Sequence, residues 1–190
     1  MDKKITADDC AQEVRLMARR AALLHYYFSK TIIDELGEEE GEALINKAIW
    51  AYGQHCGSEV REGVMEMGLP TTEENYGQIR DLPKFGWEVA TVTPEDGVER
   101  EVVTHCPLAG TFQELGTDGE KLGRLYCYVD QAKYQAYNPE MAFVHDKNVL
   151  DGDTNCEFVI KVLLIQILLN QLQLGFLILL YSFLSFFYKF

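Results

Sequence analysis

The chain has 190 residues, a formal net charge of −13 and five cysteines. That length carries one domain with a core of its own. The acidic balance argues against a general nucleic-acid binder, which needs Lys and Arg to displace phosphate counterions, and against attraction to anionic membrane surfaces. A small molecule is the expected partner. An odd cysteine count without a CxxC pair, and a start Met-Asp-Lys-Lys with no apolar run after it, lead to an expectation of free thiols in a cytoplasmic setting.

Thr6 to Lys30 reads as a helix: Thr6 and Asp9 offer a cap and early acids, and Ala11, Val14, Met17, Ala21 and Leu24 recur at helical spacing. The run continues through Ile32-Ile33 to Leu36, with Gly37 as its stop. Asp34-Glu35 and Glu38-Glu39-Glu40 read as a solvated face. A second helix is expected from Glu39 to Met67, on Leu44, Ile45, Ala48, Ile49, Tyr52, Val60 and Val64. Gly53 and Gly57 interrupt it. Each costs about 1 kcal/mol in a helix interior relative to Ala, which points to close packing or to a ligand's approach. His55-Cys56 between them is a secondary candidate for function.

Residues 69–84 read as loop. The period then becomes two, at Trp87, Val89 and Thr91 and again from Val98 to His105, with Asp96-Gly97 as the hairpin turn. Ala109 to Leu115 is expected as a short helix and Glu120 to Ala136 as a longer one, stopped by Asn138-Pro139. Met141 to His145 and Asn155 to Ile160 alternate as strands around a turn at Asp151-Gly152-Asp153. The fold class is α+β: two long N-terminal helices packed on a small antiparallel sheet with a central helix, plus an apolar C-terminal helix.

Residues 1–161 form the expected domain, and 162–190 an apolar tail whose only charge is Lys189. The tail is long enough to span a bilayer. Its abrupt shift to Leu, Ile, Phe, Tyr and Gln equally fits an aberrant terminus read from a shifted frame. A buried core helix is the third reading. A membrane enters as partner, and a tail-anchored location as alternative, only if the tail is genuine.

Chemistry concentrates between His105 and Cys156. Thiols, carboxylates and an imidazole are the groups of a nucleophilic or metal-assisted site. Cys106 lies at a strand end beside His105, as nucleophile or metal ligand. Cys127 shares a helix face with Asp130, three residues on. Asp130 is the candidate general base and His145 a candidate for proton transfer. Each cysteine has a bland alternative as a small buried hydrophobe, and Asp151 and Asp153 suit turn hydrogen bonding. If Cys106, Cys127, His145 and Cys156 converge, they form a Cys3His metal set for zinc or manganese, although their spacing matches no short zinc motif. Trp87, Tyr126 and Tyr134 line either a pocket or the core.

In order, the motifs are Cys106-Pro107, Cys127-x-x-Asp130, Asn138-Pro139 and Gly152-Asp153-x-x-Cys156-x-Phe158. This ordered set resembles the L-2-amino-thiazoline-4-carboxylic acid hydrolase family, over about residues 15–160. Arg19-Arg20-Ala21 and the Gly53…Gly57 helix fit the same layout. The resemblance implies ring opening of a cyclic isothiourea: a nucleophile or activated water adds at C2, the C–S bond breaks, and N-carbamoyl-L-cysteine forms. On that reading Cys106, Asp130, His145 and Cys127 are catalytic, and Asp153, Asn138 and Tyr126 bind substrate. The competing class is a non-catalytic small-molecule or metal-binding sensor on the same scaffold.

Overall fold

The computed structural model describes residues 4–94 and 97–162. Helix α1 spans Ala7–Leu36. It starts on a reciprocal capping box, with Asp9 N–H donating to Thr6 Oγ1 at 3.1 Å and Thr6 N–H to Asp9 Oδ2 at 2.9 Å. It stops at Gly37, whose φ of +82° favours glycine and whose N–H donates to Ile33 O at 2.8 Å. Helix α2, Glu38–Glu66, turns back along α1 at once. The turn is tight because Gly41 sits against Ile33 with no room for a Cβ.

Within the expected loop a single turn, α3 (Glu73–Tyr76), forms. Strands β1 (Glu88–Val92) and β2 (Arg100–His105) pair antiparallel, as the alternation predicts. Helix α4 runs over Pro107–Glu114, beginning at the proline, whose missing N–H is no loss at a helix start. The expected helix over 120–136 is two helices, α5 (Gly116–Tyr126) and α6 (Tyr128–Tyr137), hinged at Cys127. Strands β3 (Met141–Lys147) and β4 (Cys156–Val162) follow, joined by a short 3-10 turn at Val149–Asp151 and by Gly152 at φ +93°.

The two hairpins become one antiparallel sheet of order β1-β2-β4-β3, joined where Val102 and Val103 pair with Glu157 and Cys156. The α+β expectation therefore holds, with one rearrangement: α6 packs between α2 and β3 and forms the helical layer on the sheet. The glycines of α2 make that possible. A Cβ at Gly53 would lie 2.6 Å from both Ala132 Cβ and Val129 O, and one at Gly57 would strike Lys133 O. Close packing, one of the two readings left open for them, is what they serve. Two apolar clusters flank the crossing, one around Phe112, Ile45 and Leu125, the other around Val60, Val64 and Tyr137. The expected apolar C-terminal helix and its membrane role fall outside the described residues, apart from Val162 at the end of β4. Among the described residues no helix is long and apolar enough to cross a membrane.

Candidate functional site

Between α6, the start of α4 and the inner face of the sheet lies a cavity of about 280 Å³. Its wall is largely aromatic and aliphatic, from Trp87, Tyr126, Tyr134, Phe143 and Phe158 among others. The chemistry-bearing groups are few: the thiols of Cys56, Cys106, Cys127 and Cys156, the carboxylates of Asp81 and Asp130, the ammonium of Lys133, and the amide of Asn148. An apolar cleft with a few converging polar groups is the usual form of a small-molecule site.

Asp130 comes from the first turn of α6, which the Gly53–Ala132 crossing fixes in place. Its side chain keeps 30% of its surface, and the residue forms part of the cavity wall. Desolvation there pushes its carboxyl pKa up; Lys133 opposes the shift and Asp81 adds to it. Lys133 Nζ stands 3.8 Å from Asp130 Oδ1 and forms a close ion pair with Asp81 Oδ2.

Cys106 occupies the N-cap of α4, half-buried. Burial raises its thiol pKa, and the backbone N–H groups of Ala109 and Leu108 at the helix start draw it back down without completing a cap bond. Cys127, at the α5–α6 hinge, is pushed up to about 12 by burial; the neighbouring Asn148 amide eases it only in part. Asn148 Nδ2 reaches no hydrogen-bond partner, while its Oδ1 accepts from Leu150 N–H at 2.9 Å. Cys156 is likewise raised by burial, and Val149 N–H points at its sulfur from 3.5 Å. Cys106, Cys127 and Cys156 are therefore protonated around neutrality and need a base to react.

His145 stands behind this wall. Its ring lies edge-on to Phe143 and Phe158, at centroid distances of 5.2 and 5.0 Å. Nε2 is 3.7 Å from Asp130 Oδ2, beyond hydrogen-bond reach, and Nδ1 is buried without a partner. Burial, then the Arg124 charge, pushes its pKa down to about 4. With the imidazole uncharged near neutrality, the contact is not a charged pair. His145 backs Asp130 as a neutral ring.

The structure brings together Cys106, Cys127, Cys156, Asp130 and Tyr126, and also Cys56. Four other expected residues sit away from the cavity wall. Asn138 ties the chain: Nδ2 donates to Thr71 O at 2.7 Å and Oδ1 accepts from Glu140 N–H at 2.9 Å. Asp153 Oδ2 accepts from Asn148 N–H at 2.9 Å, closing the β3–β4 connection. Asp151 pairs with Arg124 Nε at 2.8 Å. His55 points outward, its side chain 72% exposed and 3.5 Å from Glu59. The four-residue metal set does not close around a point: among the described residues no three His, Cys, Asp or Glu side chains are grouped to hold a metal ion. His145 meets Asp130 from behind the cavity wall, flanked by Phe143 and Phe158, while the cysteines face the cavity. Asp81, Lys133 and Asn148 were missed. A lysine inside a helix and an aspartate in a loop read as solvated residues, and only their distant pairing marks them.

A sequence profile of the L-2-amino-thiazoline-4-carboxylic acid hydrolase family matches residues 15–160. The chain belongs to that family. The matched span contains every residue of the cavity wall, from Tyr52 to Phe158. Comparison with curated proteins and with solved structures gave no match.

Proposed function

We propose that this family member is a hydrolase that opens a cyclic isothiourea, with a 2-amino-thiazoline-4-carboxylate as substrate, in the cavity between α4, α6 and the sheet. The observation that carries the reading is one arrangement: a thiol at a helix N-terminus and a desolvated carboxylate face the same small, apolar-walled space. The activity for which the family is named, hydrolysis of such a ring, supports the reading. The cavity size suits a ligand of that order, at the small end of ordinary sites.

In this account Asp130 accepts the Cys106 proton as the sulfur adds to C2 of the protonated amidine. The ring C2–S bond then breaks, and Asp130 returns the proton to the leaving thiolate. Water adds at the same carbon, giving a proton to Asp130. Cys106 is then expelled and reprotonated by Asp130, and the protonated urea left behind loses its extra proton to solvent as N-carbamoyl-cysteine. The raised pKa of Asp130 suits a group that takes and gives a proton in turn. The α4 amides stabilise the Cys106 thiolate each time it forms.

The upward shift of Cys106 favours a second reading, in which Asp130 activates water directly and Cys106 only shapes the wall. Mass spectrometry of the acid-quenched reaction separates them. The first reading expects a substrate-dependent adduct on Cys106 and a dead Cys106→Ala variant. The second expects no adduct and an active Cys106→Ala. No thiol product from any 2-amino-thiazoline would remove both.

A further inference from the structure

Lys133 is an unusual lysine. Its side chain is only 7% exposed, yet it belongs to the cavity wall. A buried ammonium needs a counter-charge, and this one takes it chiefly from Asp81, a residue of an exposed strap rather than of the core. Residues 80–85 are all exposed, with the Asp81 side chain turned in and keeping 18% of its surface. The strap is fastened on both sides of that stretch. Before it, Tyr137 Oη donates to Thr72 O at 2.9 Å, and Tyr76 stacks on Tyr134 at 4.3 Å. After it, Gly86 packs against Val14, and Arg15 pairs with Glu88 at 2.8 Å. Between these fastenings Asp81 and Leu82 reach into the cavity wall. Tyr76 Oη, 3.4 Å from Asp81 Oδ2, steadies the same carboxylate.

We propose that Lys133 is the receptor for a ligand carboxylate, and that Asp81 is a stand-in for it, a latch that the arriving anion displaces. This rests on the reading above for the substrate but names residues and a gating step that reading does not contain. The exchange is electrically even: one carboxylate replaces another beside Lys133, so the charge around Asp130 is preserved. An uncharged or purely cationic ligand cannot make the exchange. It leaves Asp81 in place, and the cavity selects against it.

The test compares 2-amino-2-thiazoline-4-carboxylate with 2-amino-2-thiazoline, which lacks the carboxylate, by titration of wild type, Asp81→Asn and Lys133→Met through Trp87 fluorescence. The wild type should prefer the carboxylate. Asp81→Asn removes the competitor for Lys133 and should bind the carboxylate more tightly, by about tenfold if the latch is closed nine-tenths of the time, with the descarboxy compound unchanged. Lys133→Met should bring the two affinities within about threefold of each other, a loss on the scale of one buried charge-assisted contact. Because Lys133→Met leaves two carboxylates without their cation, a second readout uses Asp81→Asn alone. Tryptic cleavage after Arg80 or Lys84 should be faster in that variant, and the carboxylate probe should speed it in the wild type only. An Asp81→Asn chain with unchanged affinity and unchanged cleavage, or a Lys133→Met chain that keeps its preference, overturns the latch. Ring opening with no such dependence leaves the hydrolase reading standing and removes this inference. The expected binding pattern without ring opening does the reverse.

Discussion

The substitution Gly57→Ala tests how the site is held. Gly57 sits where α2 crosses α6, and a Cβ there would overlap Lys133 O, a backbone atom that cannot rotate away. The methyl brings a gain of about 1 kcal/mol in helix propensity. Against it stands overpacking, typically about 1–3 kcal/mol and at the high end where backbone must move. The net expectation is a loss of about 2 kcal/mol. For a chain of this size that lowers Tm by roughly 4–8 °C. The carbonyl that must shift belongs to Lys133, one turn of α6 beyond Asp130, so ligand binding should weaken with stability. Gly110→Ala is the control: it is also helical, and its Cβ would meet nothing nearer than His105 at 3.9 Å. That variant should gain up to about 1 kcal/mol. Thermal and urea melts of the two variants decide the matter. A Gly57→Ala protein as stable as Gly110→Ala would refute the crossing as the reason for the glycine.

Asn138→Ala should cost about 1–3 kcal/mol, because it strands Thr71 O and Glu140 N–H, and should leave KM within about twofold; a rise in KM at constant stability would return Asn138 to the substrate site. His145 gives a pH signature. Its folded pKa, about 4, is below the unfolded value of 6.5, so folding favours the neutral ring. The stability this gives is whole above pH 6.5 and is lost as pH falls from 6.5 towards 4, by at most about 3 kcal/mol. His145→Gln should therefore flatten the difference between urea melts at pH 7.5 and pH 4.5, and equal slopes in both proteins would count against burial of a neutral imidazole.

Much of the frame was legible in the chain because local signals and tertiary packing agree there. The Thr6 cap, the stop at Gly37 and the turn at Gly152 are each written in residue types that the backbone geometry requires. The break at Cys127 was not. Its φ of −62° and ψ of −15° are near helical, and the apolar period runs straight through it. The hinge comes from packing: Leu125 and Val129 both join the cluster around Phe112, on either side of it. Cys106, Cys127, Asp130 and Cys156 were readable as a chemical set, since reactive residue types stand out by identity. Asp81 and Lys133 were not, because 52 positions separate them and only the folded strap brings them together. Asn138 and Asp153 misled for the opposite reason. Their side chains serve turns and chain ties, uses for which Asn and Asp are equally favoured.

The most direct measurement is the initial rate of thiol release from 2-amino-2-thiazoline-4-carboxylate, followed from pH 5 to 9 for wild type and Asp130→Asn. The account predicts that the variant folds, binds the carboxylate, and loses at least about 100-fold in kcat, the scale of a general acid–base group. A variant within a few-fold of wild type across that range would contradict it, and would move the proton transfers away from the cavity that Asp130 shares with Cys106.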